Sequence, residues 1–374
     1  MTPEHLFWIS VALAAYVYAG YPALLVILAA LFRRPIRKAP IEPSVSLLIP
    51  AYNEGKIIES KIRNALALDY PADKLEIVIA SDGSTDATNQ IATRFCQPGR
   101  VRLFAYPSNR GKLAILNDSV PALRGDIVVF SDAASMLLPD ALRHLVACFA
   151  DPRVGAVSGL YRIGKAGEAE LGEQEDFYWK YETFLKQQEA GLHSIVGAHG
   201  ALYAIRKHLY PFPQPGTIND DYVIPVRILH KGYRVYYQTR AVAWEEAHEM
   251  RGFSRRVRIM TGNFQQLREL PALVWPPRPF PLFFFLSHKV GRLIVPLAMI
   301  ALFLSNLFLL SRPLYLAAFL AQIAFYGAVL LGALRPAGSR LLRLPFYFCM
   351  INAAAFFGMY YALFGHNKMI WKRK

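Results

Sequence analysis

The sequence predicts an α/β domain with a mostly parallel sheet, joined to an α-helical transmembrane region. Three apolar runs rich in β-branched residues each end in polar residues, and segments with apolar residues at helical spacing separate them. Strands that alternate with helices are typical of a doubly wound parallel sheet. Hydrophobic residues also make up 54% of the 374 positions, which is too large a share for a wholly soluble protein. Long uncharged stretches near both ends of the chain account for that share.

The first uncharged stretch, Leu6–Phe32, is long enough to cross a bilayer with some tilt. A signal peptide is the competing interpretation, but the stretch is too long and no lysine or arginine precedes it. Four basic residues follow it, namely Arg33, Arg34, Arg37 and Lys38. The positive-inside rule therefore places residues from 33 onward in the cytoplasm and the N-terminus outside.

Three predicted strands of the α/β domain run into polar loops. The loops are Pro50–Glu54 after Val45–Ile49, Ser81–Asp86 after Leu75–Ala80, and Ser131–Ser135 after Ile127–Phe130. Ligands of such sheets bind outside the carboxyl ends of the strands. That edge carries Asn53, Glu54, Asp82 and Asp132, so we expect a cleft there. One such loop alone is ordinary turn chemistry, whereas three in register favour a binding site.

The remaining elements follow from apolar spacing. A further strand is predicted at Val101–Tyr106, with helices at Lys56–Leu68, Ala87–Phe95, Gly111–Leu123 and Pro139–Ala150. Glu168–Ala190 is predicted to be an amphipathic helix whose aromatic stripe faces the core. Asp220 and Asp221 open another helix, which Gly232 ends.

The last third of the chain is predicted to lie in or on the membrane. Arg251–Arg268 is expected to form a helix in the membrane interface, and three spans follow at Leu293–Ser311, Leu314–Leu334 and Leu344–Phe364. Counting alternately from the first span sends the C-terminus outside, whereas its basic tail favours the cytoplasm, so its side stays open. The predicted units are a transmembrane helix at 1–32, a cytoplasmic domain at 33–250, interface helices at 251–290, and about three helices with the tail at 291–374.

Several function classes are disfavoured. A net charge of +15 suggests nucleic acid, but the basic and aromatic residues match no such module, and lipid headgroups with a diphosphate ligand explain the charge more simply. No phosphate-binding GxxxxGK[ST] is present, and no GxGxxG follows the first strand, which counts against P-loop hydrolysis and dinucleotide oxidoreductases. The three cysteines are far apart and indicate no disulfide framework.

Five segments together resemble the ordered motifs of family 2 glycosyltransferases. They are Pro50-Ala51-Tyr52-Asn53-Glu54, Ser81-Asp82-Gly83-Ser84-Thr85-Asp86, Ser131-Asp132-Ala133-Ala134, Asn219-Asp220-Asp221 and Arg255-Arg256-Val257-Arg258. The similarity is closest to the membrane-embedded branch that contains cellulose, hyaluronan, chitin and poly-N-acetylglucosamine synthases. The resemblance implies a GT-A (Rossmann-like) fold. It also implies a nucleotide-sugar donor, commonly a UDP-sugar, and inversion at the anomeric carbon.

The resemblance also implies roles for particular residues. An acceptor hydroxyl is a poor nucleophile and needs a carboxylate base, and Asp221 matches the family's base, with Asp220 beside it. The alternative is that one of the two aspartates caps the helix. The implied nucleotide-sugar contacts are Asn53, Glu54, Asp82, Lys112, Asp132 and Arg258. The implied acceptor contacts are Gly197, His199, Gly200 and Arg255.

Two departures from the family pattern bear on cofactor and product. Asp132 matches the first aspartate of the DxD motif, but Ala134 replaces the second, so an Mg²⁺ or Mn²⁺ site is expected at Asp132 without its usual partner. In the QxxRW motif, Arg255 replaces the glutamine and Ile259 the tryptophan that is thought to stack the acceptor sugar.

The expected activity is transfer of a sugar to a growing polysaccharide or other glycan at the cytoplasmic face. One alternative is a single addition to a polyprenyl-phosphate or other lipid-linked acceptor. Another is a non-catalytic membrane subunit that retains a transferase-like domain. The expected partners are the nucleotide sugar, a glycan or lipid-linked acceptor, the bilayer and export or accessory subunits, and no nucleic acid.

Overall fold

The computed structural model describes residues 2–164, 173–245, 253–275, 278–334 and 340–364. Arg251 and the basic tail from residue 365 lie outside these ranges. The basic tail, on which the predicted side of the C-terminus depends, is therefore not among the described residues.

Eight strands form one sheet. They are β1 (Val45–Ala51), β2 (Leu75–Asp82), β3 (Val101–Tyr106), β4 (Ile127–Phe130), β5 (Met136–Leu137), β6 (Val154–Ile163), β7 (Tyr203–Arg206) and β8 (Arg234–Glu245). Their order is β3-β2-β1-β4-β7-β6-β8-β5. The pairings from β3 to β4 are all parallel, as predicted. Beyond β4 the sheet is mixed, because β7 runs antiparallel to both β4 and β6, and β5 runs antiparallel to β8.

The helices in the first half of the chain are α1 (Pro3–Ala15), α2 (Tyr21–Phe32), α3 (Ile58–Leu66), α4 (Thr88–Arg94), α5 (Lys112–Ser119) and α6 (Ala141–Val146). Those in the second half are α7 (Glu173–Leu192), α8 (Asp220–His230), α9 (Phe253–Gln265), α10 (Leu270–Val274), α11 (Pro279–Phe284), α12 (Gly291–Leu307), α13 (Pro313–Leu334) and α14 (Arg340–Phe364). Turns of π-helix at Tyr16–Gly20 and Phe285–Val290 join α1 to α2 and α11 to α12 without a break.

The central strands are buried on both faces, as expected for strands covered by helices. Successive side chains of a strand point to opposite faces, so Leu47 and Ile49 of β1 join one hydrophobic cluster while Leu48 joins the other. The cluster containing Leu48 also includes Leu25 of α2 and Phe284 of α11. The α/β domain and the first two apolar helices therefore share one core.

Among the described residues, four helices are long and apolar enough to cross a membrane: Pro3–Phe32, Pro279–Leu307, Pro313–Leu334 and Leu344–Phe364. The second begins at Pro279, well before the predicted start at Leu293. The sequence hid this start because His288, Lys289 and Arg292 interrupt the apolar pattern. Glu182 of α7 accounts for two of these charges, since it lies 3.1 Å from His288 Nε2 and 2.7 Å from Arg292 Nη1.

Candidate active site

The loops that follow β1 and β2 are fastened to each other. Thr85 donates its backbone N–H to Asn53 Oδ1 at 2.8 Å, and Asn53 donates its own N–H to Ser84 Oγ at 3.1 Å. Asn53 adopts a positive φ of 53°, which asparagine tolerates better than most residues. The N–H of Glu54 donates to Thr88 Oγ1 at 2.8 Å, and the Glu54 side chain is 5% exposed. Both residues thus hold the two strand-end loops together at the predicted edge.

Asp82, at the end of β2, is fully buried and bonded to the loop that follows β3. Its two carboxylate oxygens accept the backbone N–H groups of Arg110 and Gly111, each at 2.8 Å. Gly83 allows the loops to approach so closely, because a Cβ there would lie 2.5 Å from the backbone nitrogen of Asn109. Asp82 therefore fixes the turn that delivers Lys112. A carboxylate can accept about four hydrogen bonds, so Asp82 keeps the capacity to accept one from an N–H or O–H group of a nucleotide.

Lys112 lies at the centre of an acidic cluster. Its Nζ is 2.8 Å from Asp132 Oδ1 and 3.1 Å from Asp220 Oδ1. Burial alone would lower the pKa of Lys112, but Asp132 and Asp220 raise it well above its usual range. The ammonium group is therefore charged at neutral pH, and it joins the β4 loop to the start of α8.

The two aspartates that open α8 have different partners. Asp220 is 6% exposed, and its oxygens bond Lys112 and, at 3.1 Å, the hydroxyl of Tyr203. Asp221 accepts the backbone N–H of Gly200 at 2.9 Å and is more open. Burial and the neighbouring Asp220 raise the pKa of Asp221 to about 6, with Lys112 opposing them. Asp221 is therefore the aspartate of this pair that suits a base near neutral pH.

Gly200 borders the space between the carboxylates. A Cβ at this position would lie 3.2 Å from Asp132 Oδ2, 3.4 Å from Asp221 Oδ2 and 3.7 Å from Lys112 Nζ. Asp132, Asp220, Asp221 and Lys112, which come from three separate parts of the sequence, thus meet around one point. Gly197, in the same loop, adopts a φ of 107° that favours glycine.

A buried lysine that was not predicted as a site residue forms hydrogen bonds with the loop that carries Asp132. Lys61 of α3 donates to Ser131 Oγ at 2.7 Å and also to the carbonyl of Ser135. Burial lowers the pKa of Lys61 to about 7, and Asp132 opposes that shift. Lys61 lies on the same buried face of α3 as Ile58, Ile62 and Ala65, so its helical spacing is a signal of burial that its charged side chain obscures.

The predicted metal site has one strong candidate ligand. In the described part of the chain, no three His, Cys, Asp or Glu side chains converge on a metal-binding point. Asp132 is 44% exposed at its side chain, and its Oδ1 is held by Lys112. Mg²⁺ is commonly bound through one or two carboxylates together with substrate phosphates and waters. The donor set therefore fits a cation held by Asp132 and a bound diphosphate.

The predicted acceptor residue His199 belongs to an aromatic cluster next to Gly200. Its ring stacks on Tyr161 with a centroid distance of 4.3 Å and lies 5.2 Å from the ring of Trp179. Burial lowers the pKa of His199 to about 3, and Lys186 adds to the shift, so the ring is neutral at physiological pH. The sequence analysis did not single out Tyr161 or Trp179. Their sequence context is the same as that of aromatic residues that fill a core.

Helix α9 carries the predicted Arg255 and Arg258 and lies against the start of α8. Asn219, just before Asp220, donates to the carbonyl of Ile259 at 3.3 Å, and a Cβ on Gly262 would lie 2.6 Å from the Asn219 side chain. Burial lowers the pKa of Arg258, while Asp132, Asp220 and Asp221 oppose that shift, so Arg258 is within electrostatic reach of the carboxylates. Arg255 is exposed. The other side of α9 contacts α14, where Gly358 leaves room for Met260.

Residues 46–210 match the family model described as glycosyl transferase family 2. The chain is 26% identical over 253 residues to a poly-beta-1,6-N-acetyl-D-glucosamine synthase of Staphylococcus aureus, which covers 66% of this chain and 61% of that protein. It is 28% identical over 220 residues to a probable glycosyltransferase, YdaM, of Bacillus subtilis, which covers 55% of this chain and 51% of that protein. The chain thus spans less than two thirds of the length of either relative.

One solved structure is similar over almost the whole chain. It is a mannosyltransferase from Pyrobaculum calidifontis in complex with GDP-mannose and Mn²⁺, with 26% sequence identity and a TM-score of 0.73. The similarity covers 96% of this chain and 99% of that one, so it includes the apolar helices as well as the sheet. The predicted GT-A fold and the predicted family resemblance are confirmed: residues 46–210 of this chain form a glycosyltransferase family 2 domain.

Proposed function

We propose that this protein is an inverting glycosyltransferase that moves a sugar from a nucleotide donor to a hydroxyl group of a glycan. The donor that we expect first is a UDP-sugar. The observation that carries the proposal is the meeting of Asp221, Asp132 and Lys112 around Gly200. A base and a positive charge lie side by side there. Sugar transfer by a single displacement needs both, one for the acceptor and one for the departing diphosphate.

In the proposed reaction, the acceptor oxygen attacks C1 of the donor sugar from the face opposite the diphosphate. The bond from C1 to the acceptor oxygen forms as the bond from C1 to the diphosphate oxygen breaks, and Asp221 takes the hydroxyl proton. The diphosphate leaves with the bonding electron pair, and Arg258 is placed to neutralise its charge. Arg258 has no hydrogen-bonding or ion-pair partner among the described residues, which leaves its guanidinium available for phosphate oxygens.

A bound Mg²⁺ or Mn²⁺ would add further charge neutralisation at the diphosphate. Asp132 is the residue that would hold the cation. Lys112 offsets part of the negative charge of Asp132 and Asp220, with which it forms ion pairs. Sugar transfer is expected to fall strongly in excess EDTA and to recover when Mn²⁺ is restored. Full turnover in EDTA would mean that Lys112 and Arg258 suffice without a cation.

A second candidate function is addition of one sugar to a lipid-linked acceptor. Two observations favour it: the absence of a tryptophan at Ile259, and the full-length similarity to a protein described as a mannosyltransferase. That protein was solved with GDP-mannose, so GDP-mannose is the rival donor. The third possibility, a subunit without activity, is disfavoured by the intact contacts among Lys112, Asp132 and Asp220.

The test is a donor screen on the purified full-length chain in lipid, with UDP-sugars and GDP-mannose, followed by sizing of the products. We expect one UDP-sugar to be consumed and a ladder of products to form. A single added sugar would establish the second candidate instead. If no nucleotide sugar is turned over with any glycan or lipid-linked acceptor, the proposal of an active transferase fails.

The proposed location is the cytoplasmic face of the cytoplasmic membrane. Support comes from Arg33, Arg34, Arg37 and Lys38, which follow the first apolar helix directly. Cysteine labelling from either side of sealed vesicles, using Cys96 as the exposed native site, would test the placement.

A further inference from the structure

A pocket of about 180 Å³ lies where the α/β domain meets the first two apolar helices. Its lining residues are Arg34, His193, Arg278, Pro279, Phe280 and Pro281. Arg34 comes just after the first apolar helix, and Pro279 begins the second. The pocket is therefore at the depth where these helices leave the membrane. Its volume exceeds that of one liquid water, ~30 Å³, by enough to admit a phosphate group.

Two arginines of the pocket have hydrogen-bonding capacity to spare. Arg278 donates one Nη2 hydrogen to the carbonyl of His230 at 2.7 Å, but its buried Nε has no partner. The guanidinium of Arg34 lies 5.9 Å from the centre of the Phe280 ring, and no described residue accepts a hydrogen bond from it. A buried guanidinium N–H without an acceptor is costly, so an acceptor is expected at the Nε of Arg278, while the exposed Arg34 has its guanidinium open to a ligand.

A third arginine shapes the pocket from behind. Arg234 is 6% exposed and donates to the carbonyls of His193 at 2.7 Å, Arg34 at 2.9 Å and Ala190 at 2.9 Å. These bonds fix the backbone on both sides of the pocket. All three acceptors are neutral, so the charge of Arg234 is not compensated by them.

The carboxylates near the pocket form ion pairs with arginines that do not line it. Glu269 pairs with Arg227 at 2.8 Å, and Asp151 pairs with Arg153 at 2.7 Å. Among the described residues, no carboxylate forms an ion pair with Arg34, Arg234 or Arg278. Burial and these same arginines lower the pKa of His193 to about 4, so His193 adds no charge at neutral pH. The pocket is thus positive because of its arginines, at any physiological pH.

We propose that this pocket binds a phosphate group at the level of the lipid headgroups. Arginine presents parallel N–H groups that match phosphate oxygens, and such charge-assisted bonds are the strong ones in proteins. Phe280 and the prolines supply an apolar wall on the membrane side. The phosphate could belong to an anionic lipid or be free in solution, because the chemistry of recognition is shared. The pocket is built from other residues than the carboxylate cluster, so the inference does not depend on the proposed reaction.

The test uses the full chain in a maltoside detergent, which contains no phosphate. Short-chain phosphatidic acid and inorganic phosphate are titrated separately, and binding is followed by calorimetry. We expect Arg34→Gln and Arg278→Gln each to weaken binding by about tenfold or more. Arg278→Lys, which keeps the charge and can still reach the His230 carbonyl, separates a lost phosphate contact from a folding defect and is expected to bind at an intermediate level.

Arg33→Gln is the matched control, since Arg33 is exposed like its neighbour Arg34 but does not line the pocket. It should leave the affinity within about twofold, because a residue that does not contact the phosphate contributes only through the general surface potential. Tighter binding of phosphatidic acid than of inorganic phosphate would assign the site to a lipid headgroup, and equal binding would assign it to a free phosphate group. The proposal is overturned if neither ligand saturates, or if Arg33→Gln costs as much affinity as Arg34→Gln.

Discussion

Asp220 and Asp221 are neighbours in sequence, yet their side chains serve different purposes. Asp220 is occupied by Lys112 and Tyr203, and its burial makes it a structural anchor for the start of α8. Among the described residues, the Asp221 side chain accepts a hydrogen bond only from the N–H of Gly200, and it faces the same space as Asp132. We therefore propose Asp221, and not Asp220, as the proton acceptor.

The raised pKa of Asp221 predicts a pH dependence of transfer. Below a pH of about 6 the carboxyl group is protonated and cannot accept the hydroxyl proton, so kcat/KM should fall about tenfold per pH unit on the acid side. Above that pH the rate should level off. A pH–rate profile of the wild type, with the exposed Asp140→Asn variant as control, checks this. A profile that stays flat down to a pH of about 5 would argue that another group is the base.

The contacts of Asp82 predict a loss of nucleotide affinity in Asp82→Ala. That change leaves the N–H groups of Arg110 and Gly111 without acceptors, which loosens the turn before Lys112. We expect binding of the donor nucleotide, measured by calorimetry, to weaken by about tenfold or more. Asp140→Ala, on a distant exposed turn, should bind as the wild type does. Unchanged affinity in Asp82→Ala would refute the placement of the nucleotide at this edge.

At the scale of elements, the site depends on a close approach of the loop 197–202 to the start of α8. Gly200→Ala should place a methyl group within the space shared by Asp132 and Asp221. Because a displacement of ~1 Å in a reacting group can cost ~10²-fold in rate, we expect transfer to fall about tenfold or more with the fold retained. Gly327→Ala is the control, since a Cβ there meets nothing within 4 Å. Wild-type turnover in Gly200→Ala would show that the acceptor does not pass this point.

A buried ionic network joins α7 to the first two apolar helices. Glu189 accepts from the Tyr21 hydroxyl and lies 2.6 Å from His288 Nδ1, while Glu182 lies 3.1 Å from His288 Nε2 and 2.7 Å from Arg292 Nη1. Burial raises the pKa of Glu182, but His288 and Arg292 hold it well below its usual range. The network fixes the angle at which the domain meets the membrane helices.

Removing one member of this network should be costly. Glu189 is 1% exposed, so Glu189→Ala leaves the Tyr21 hydroxyl and His288 Nδ1 without their shared partner and should lower the free energy of unfolding by about 3–5 kcal/mol. Thermal or denaturant unfolding in detergent measures the change. The exposed pair of Glu59 and Arg63 offers the contrast, because Glu59→Ala should cost no more than about 1 kcal/mol. Equal losses in the two variants would contradict the structural role of the network.

At the scale of the whole molecule, the features that could be predicted from the sequence are those that leave a local pattern in it. Uncharged runs revealed the apolar helices, and the acidic residues after parallel strands pointed to Asp132 as part of a site. Signals that depend on distant residues were missed. The start of the second apolar helix was hidden because the partner of His288 and Arg292 is Glu182, far away in sequence. Lys61 was missed for the same reason, since its partners lie in the β4 loop.

The antiparallel half of the sheet was also beyond the sequence argument. Strand β7 enters beside β4 only after the chain has passed through β6, α7 and the glycine-rich loop, and four residues carry little periodicity. That insertion places Gly200 and Tyr203 against the acidic cluster. The fold class was therefore predictable from the sequence, whereas the contact of the loop 197–202 with Asp221 became visible only in the structure.

The central claim is that Asp221 removes the acceptor proton in a site shared with Lys112 and Asp132. The most direct test is single-turnover sugar transfer by the wild type and by Asp221→Asn, with donor affinity measured on the same preparations. We expect transfer by Asp221→Asn to fall by about 10²–10⁴-fold, the usual contribution of a general base, while donor affinity stays within about threefold. Equal transfer rates for the two proteins, at equal donor occupancy, would contradict the account.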